Sequence, residues 1–166
     1  GRPRILANIA AGEARRRWPS NRVVAAIRAA LHTSPGSVVV VMAPPDELEE
    51  AGRIARDAGA HAIVPGLRDA FALVATADVV FTPDTSIAHA ASAFTKPSVV
   101  MMIGGSAIFE PYETPGRFVY SPGPTLESLE AQPVIDALVP VVQAASGDRA
   151  RRASTPQQLR PAKDEL

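Results

Sequence analysis

Short apolar runs that alternate with helical segments are the feature that most constrains the fold of this chain. Residues 38–42 are four valines and a methionine, a continuous run typical of a strand buried on both faces of a sheet. Comparable runs predict strands over residues 4–9, 38–42, 62–64, 79–81, 98–103 and 118–120. The intervening segments predict helices over residues 21–31, from 44–46 to Gly59, and over 68–75, 86–94 and 126–145. This alternation predicts an α/β fold, a Rossmann-like parallel sheet with helices on both faces.

The composition narrows the classes of function. The 166 residues suit one domain, and with 46% hydrophobic but only 5% aromatic residues its core must be built mostly from aliphatic side chains. The 17 basic and 17 acidic residues balance, which argues against a nucleic-acid binder. The chain has no cysteine, so thiolate metal sites are excluded, and its three histidines are too scattered to suggest another metal site.

The end of the chain differs from the rest. We expect residues 1–145 to form the Rossmann-like domain and residues 146–166 to form a polar tail, either a strap or disordered. Pro133 and Pro140 fall inside the last predicted helix and predict a break or kink there. The sequence shows no signal peptide, and its apolar runs are too short to span a bilayer.

The junction between the fourth strand and its helix indicates a ligand class. An apolar strand leads into Asp84, Thr85 and Ser86, and a helix begins there. The first N–H groups of a helix have no partner within it, and the helix dipole adds partial positive charge, so such a junction favours phosphate. The alternative is a plain helix cap without a ligand. His89, in the first turn, either contacts that phosphate or holds the loop.

Charged residues follow the first and second strands. Residues 15–19, Arg-Arg-Arg-Trp-Pro, place three guanidinium groups at the carboxyl end of the first strand, where each fork can bind phosphate in a bidentate manner. The alternative is a solvated basic loop, and Trp18 is interpreted as a packing anchor beneath it. Asp46 and Glu47 follow the second strand, where a carboxylate commonly accepts hydrogen bonds from ribose. The alternative is that they only enrich the first helical turn in acids.

Several common motifs are absent from the sequence. The first strand is followed by Ala10-Ala11-Gly12 rather than G-x-G-x-x-G, and no G-x-x-x-x-G-K-[ST] loop occurs. No G-x-S-x-G elbow occurs either, which weakens a serine hydrolase interpretation.

Three segments together resemble the carboxy-terminal domain of the bacterial heptosyltransferases, glycosyltransferase family 9. Residues 16–19, Arg-Arg-Trp-Pro, are similar to the Lys-x-Trp-Pro element of that family. Residues 84–93, Asp-Thr-Ser-Ile-Ala-His-Ala-Ala-Ser-Ala, resemble its Asp-[Ser/Thr]-Gly-x-x-His-x-Ala-x-Ala element. Residues 95–105, with Lys-Pro before an apolar strand and two glycines, are similar to the segment that follows in the family. The resemblance covers residues 4–145.

The resemblance implies one half of a GT-B fold, in which two Rossmann-like domains face each other across a cleft. This half would bind the nucleotide-sugar donor, typically ADP-heptose. The other half, expected outside this chain, would hold a lipid A–core acceptor and supply the carboxylate base. We therefore expect a glycosyltransferase domain that binds a nucleotide but transfers no sugar alone. No metal or other cofactor is expected, and the full enzyme would be cytoplasmic or peripheral at the inner membrane.

The resemblance also implies roles for individual residues. The donor diphosphate would be bound by Arg16, Asp84, Thr85, Ser86 and His89. The ribose would be bound by Asp46 or Glu47. This chain departs from the family at two of these positions, because Ser86 stands where the family has glycine and Arg16 where it has lysine.

Two other functions remain open at this stage. A non-catalytic nucleotide-binding or interaction domain would keep the fold without the chemistry, and Ser86 in place of glycine favours it. Half of a sugar-nucleotide epimerase would share the two-domain architecture.

Overall fold

A computed structural model describes residues 2–104 and 115–154 of the chain. Within this part, six parallel strands form one sheet: β1 (Arg4–Asn8), β2 (Val38–Met42), β3 (His61–Ile63), β4 (Val79–Pro83), β5 (Ser98–Ile103) and β6 (Gly116–Ser121). Their order in the sheet is β3-β2-β1-β4-β5-β6. The predicted Rossmann-like parallel sheet is therefore confirmed.

Helices cover both faces of the sheet. The described helices are α1 (Ser20–Thr33), α2 (Leu48–Ala58), α3 (Leu67–Thr76), α4 (Ser86–Ala93) and α5 (Ala131–Ser154). Buried residues of α1, α2 and α5 share one apolar cluster with the sheet, whereas those of α3 and α4 belong to clusters on the other face. Gly59 ends α2 at φ 76°, a left-handed conformation that favours glycine, as predicted. No helix in the described ranges combines the length and apolar character needed to cross a bilayer.

The last helix differs from the prediction. A short 3-10 turn at Leu126–Ser128 comes first, and α5 begins only at Ala131, with Pro133 in its first turn. The helix continues through Pro140 to Ser154. Of the predicted break or kink, the break is therefore wrong, and so is the predicted end at residue 145. Contacts beyond residue 145 explain the extension, because Ser146 bonds to Ser34, just after α1, and Arg149 pairs with Asp78, just before β4. Residues 105–114, most of the segment predicted to be irregular, and residues 155–166 of the tail lie outside the described residues.

The strand order places a crevice beside β1 and β4. These strands are adjacent in the sheet although β2 and β3 lie between them in the chain. The connections leave β1 and β4 in opposite directions, which makes their carboxyl ends the topological switch point where ligands bind in such sheets. Every residue of β4 is buried, so the core holds the carboxyl end of this strand in place.

A half-buried carboxylate links α5 to the amino-terminal ends of the strands. Asp78, just before β4, accepts a hydrogen bond from the backbone N–H of Arg4 at 2.7 Å, and its Oδ2 lies 2.7 Å from Nε of Arg149 on α5. Burial alone would raise the pKa of Asp78, but the bonds from Arg149 and from the Arg4 backbone outweigh it and hold the pKa below its ordinary value.

Asp78→Asn is therefore expected to lower the free energy of unfolding by about 1–2 kcal/mol at neutral pH, because the amide cannot pair with Arg149 as a charge. Since the pKa of Asp78 is depressed in the folded state, its contribution is complete above the unfolded-state pKa and is lost as the pH falls through the folded-state pKa. The difference between wild type and variant, measured by urea denaturation, should thus shrink below about pH 4. The exposed Asp57 provides the control, since Asp57→Asn should match wild type throughout. A difference that stays constant down to pH 2 would contradict this account.

Candidate functional site

The loop between β4 and α4 lies at the switch point. Thr85 has extended backbone angles and caps α4, with its hydroxyl oxygen accepting the N–H of Ile87 at 3.3 Å. Ser86 is the first residue of α4 and its side chain is exposed. The N–H groups of Ile87, Ala88 and His89 all donate to Thr85, to its hydroxyl oxygen or its carbonyl oxygen. Within the described residues the N–H of Ser86 has no hydrogen-bond partner, so it is the backbone donor at this helix start that an anion can use.

Arg16 lies in the segment that follows β1 and reaches the β4–α4 loop across the crevice. It ends a 3-10 turn at Ala14–Arg16, which follows β1. Its Nη1 donates to the carbonyl oxygen of Asp84 at 2.9 Å and lies 3.2 Å from Oδ2 of the same residue. Within the described residues Nη2 makes no hydrogen bond and lies 3.7 Å from Oε1 of Glu13. The structure thus joins the two segments that the sequence analysis assigned to a diphosphate.

Asp84 is the centre of this cluster rather than an exposed ligand. Its side chain is only 8% exposed, and its backbone N–H donates to the carbonyl of Met101 on β5. His89 lies one turn into α4, with Nε2 4.0 Å from Oδ1 of Asp84 and half of its side chain exposed. The carboxylate therefore holds Arg16 and faces His89, which keeps two nitrogen-rich side chains beside the helix N-terminus.

The two acidic residues after β2 have different environments. Glu47 is buried and forms an ion pair with Arg17. Burial raises the pKa of Glu47, while the guanidinium of Arg17 opposes the rise. Asp46 is exposed at the same edge of the sheet. The structure does not bring either acid into contact with Arg16 or Asp84, so their ribose-binding role stays a prediction.

Trp18 is confirmed as a packing anchor. It is 7% exposed, its indole N–H donates to the carbonyl of Leu129 at 2.8 Å, and its ring meets that of Phe81 edge-on, with centroids 5.8 Å apart. This contact fixes the basic loop against β4 and against the segment that enters α5.

Sequence reasoning missed Asn8, the last residue of β1. Its side chain is buried and donates to the hydroxyl oxygens of Thr82 at 3.0 Å and Thr85 at 3.3 Å. The available signal was an amide at the end of an otherwise apolar buried strand, because a buried polar group needs partners. Its partners lie more than 70 residues away, so the sequence did not reveal which they were.

The charge pattern of this site suits an anion. Arg16, the N–H of Ser86 and the hydroxyls of Thr85 and Ser86 are donors at one edge, with His89 beside them. In the ranges 2–104 and 115–154, no three His, Asp or Glu residues group together in a way that could hold a metal ion.

Comparisons with known proteins bear on the family and on the fold. Residues 1–103 match the sequence model of glycosyltransferase family 9 (heptosyltransferase). A search of curated protein sequences finds no match.

Three solved structures are similar in fold. A family 9 glycosyltransferase from Veillonella parvula DSM 2008 has 17% identity and a TM-score of 0.73, over 86% of this chain and 47% of that one. E. coli ADP-heptose LPS heptosyltransferase II has 19% identity and a TM-score of 0.72, over 86% and 47%. E. coli heptosyltransferase WaaC with ADP has 20% identity and a TM-score of 0.73, over 84% and 44%. The chain spans about half the length of these proteins.

Proposed function

Since this chain belongs to glycosyltransferase family 9, we propose that it is the donor-binding half of a GT-B glycosyltransferase and binds a nucleoside diphosphate sugar at its switch point. ADP-heptose is the proposed donor, because similar structures include E. coli heptosyltransferase WaaC with ADP and with ADP-2-deoxy-2-fluoro heptose. The proposed acceptor is a lipopolysaccharide-type sugar bound by a second domain.

One observation carries the proposal, the convergence of Arg16 and the N-terminus of α4 on the loop at Asp84. A diphosphate has oxygens on two phosphorus atoms and can therefore accept from both donor groups at once. The N–H and hydroxyl of Ser86 at the start of α4 would bind one phosphate, and the guanidinium of Arg16 would bind the other. His89 would contribute from the side of the helix.

The nucleoside would extend toward β2. Asp46 is exposed there, whereas Glu47 is buried and paired with Arg17. Asp46 is therefore the better candidate to accept hydrogen bonds from the ribose hydroxyls.

In the proposed reaction an acceptor hydroxyl forms a bond to the anomeric carbon of the donor sugar. The bond from that carbon to the β-phosphate oxygen breaks, and the nucleoside diphosphate leaves with the electron pair. A carboxylate in the second domain would take the hydroxyl proton. Arg16 and the helix N-terminus would stabilise the negative charge on the leaving group, so we propose that no metal is required. The reaction would take place on the cytoplasmic side of the inner membrane.

A thermal-shift panel with ADP, UDP, GDP and CMP tests donor binding on the 166-residue chain. ADP is expected to raise the melting temperature in a saturable manner, with about 2.7 kcal/mol of added stability at one hundred times its Kd. AMP is the matched control, because it lacks the second phosphate and should stabilise the chain less. Absence of a shift with all four nucleotides would favour a non-catalytic interaction domain, for which Ser86 in place of the family's glycine is the supporting feature.

A further inference from the structure

The side-chain amide of Asn8 has one defined orientation. The backbone N–H of Ala10 donates to Oδ1 of Asn8 at 3.3 Å, and the carbonyl of Ala10 accepts from Nδ2 at 3.3 Å. A backbone N–H only donates and a carbonyl only accepts, so Ala10 identifies which end of the amide is oxygen and which is nitrogen. The NH₂ group therefore faces the hydroxyl oxygens of Thr82 and Thr85 as well as the carbonyl of Ala10, and with two hydrogens for three acceptors it shares at least one hydrogen between two of them.

The hydroxyl of Thr82 has a fixed direction as well. It is completely buried and donates to the carbonyl of Pro83 at 2.8 Å. With its proton used there, Thr82 can only accept from its other neighbours, which are Asn8 at 3.0 Å and Thr85 at 3.3 Å.

The hydroxyl of Thr85 can act only as a donor. Its oxygen accepts from Nδ2 of Asn8 and from the N–H of Ile87, each at 3.3 Å. A hydroxyl oxygen has two lone pairs, and these two donors occupy both. Thr85 can then act only as a donor, toward Thr82 in the free protein or toward an acceptor at the N-terminus of α4.

We propose that Asn8 is a positioning residue that makes the hydroxyl of Thr85 a donor to the ligand diphosphate. This inference rests on the proposed function and adds a role for a side chain that does not itself touch the ligand. Without the amide, a lone pair of Thr85 is free, and the hydroxyl proton loses its fixed direction. A phosphate oxygen, which only accepts, would then meet a less well-ordered donor.

A double-mutant cycle on ADP binding tests the proposal, with Kd measured by calorimetry on the 166-residue chain. Asn8→Leu has nearly the same size but no hydrogen-bonding groups, and it is expected to weaken ADP binding about tenfold. In a Thr85→Val background the same change should weaken binding less than about twofold, since the hydroxyl on which Asn8 acts is absent. Thr85→Ser keeps the hydroxyl and should restore both the affinity and the sensitivity to Asn8→Leu.

A control variant separates positioning from stability. Ile5→Val shortens a buried side chain on the same strand and should lower stability by about 1 kcal/mol without changing the Kd for ADP. If Asn8→Leu does not fold, Asn8→Ser replaces it, because a serine at this position is too short to reach Thr85.

Two outcomes would overturn the proposal. One is equal weakening of ADP binding by Asn8→Leu in the wild-type and Thr85→Val backgrounds. The other is a loss of stability with an unchanged Kd, which would make Asn8 a structural link alone. In both cases wild type still binds ADP and the proposed function stands, whereas a wild-type chain that binds no nucleoside diphosphate contradicts the proposed function and the role of Asn8 together.

Discussion

Arg16→Ala is expected to weaken binding of ADP to this chain by about one hundredfold. The variant removes a guanidinium whose Nη1 is held by Asp84 and whose Nη2 makes no hydrogen bond within the described residues. Loss of charge-assisted bonds to a diphosphate costs about 1.5–3 kcal/mol, which corresponds to a factor of about ten to one hundred and fifty in Kd. Isothermal titration of ADP into the wild-type and variant chains measures the change directly.

The neighbouring arginine supplies a matched control. Arg15 has the same charge, but it is half exposed and pairs with Glu13 instead of the β4–α4 loop. Arg15→Ala should therefore leave the Kd for ADP within about twofold of wild type. Arg16→Lys should lose less affinity than Arg16→Ala, because it keeps the charge without the planar fork. Equal losses in Arg15→Ala and Arg16→Ala would mean that only the net charge of the loop matters, and the assigned contact would be wrong.

The strands of the sheet could be predicted from the sequence because each one is marked by a short run of neighbouring apolar residues. Strand β5 was predicted at its observed bounds, residues 98–103, since six consecutive apolar or small residues follow a Lys-Pro turn. In the structure all six of these residues are buried. Similar runs predicted the other described strands to within a few residues. Strands buried on both faces leave a strong pattern in the chain, and that pattern also predicts parallel pairing.

The end of α5 depends on contacts between distant residues, which a sequence pattern does not carry. Residues 146–154 are mostly polar, and on composition residues 146–166 were predicted to be a polar tail. In the structure the hydroxyl of Ser146 lies 2.7 Å from that of Ser34, the residue after α1, and Arg149 pairs with Asp78. These contacts extend the helix over residues that would not favour it alone.

In the candidate site, too, the features that depend on local sequence were predicted and the contacts between distant residues were not. The segments at Arg16 and at residues 84–86 were recognised separately, each from local residue types, and the strand order then brought them within hydrogen-bonding distance. The pairing of Arg17 with Glu47 and the contacts of Asn8 were not predicted. Both depend on which strands are neighbours in the sheet. Strand β1 lies between β2 and β4, and this order is set by the sheet as a whole.

Trp18→Ala is expected to lower the free energy of unfolding by about 3–5 kcal/mol, the range for truncating a large buried aromatic side chain. The change would leave a cavity against Phe81 and remove the hydrogen bond to the carbonyl of Leu129. A domain of this size is stabilised by about 5–15 kcal/mol, so the loss is a large share of the total. Because Trp18 is the sole tryptophan of the chain, urea denaturation should be followed by far-UV circular dichroism rather than by fluorescence.

One further variant separates packing at Trp18 from its hydrogen bond, and a second one serves as a control for truncation of an exposed side chain. Trp18→Phe keeps an aromatic ring against Phe81 but loses the indole N–H, and it should cost clearly less than Trp18→Ala. Leu48→Ala truncates an apolar side chain that is 53% exposed and should cost less than about 0.5 kcal/mol. Since Trp18 lies two residues from Arg16, any folded Trp18→Ala protein should also bind ADP more weakly than wild type. A Trp18→Ala chain with wild-type stability would show that the basic loop is held to β4 by its ion pairs and not by this ring.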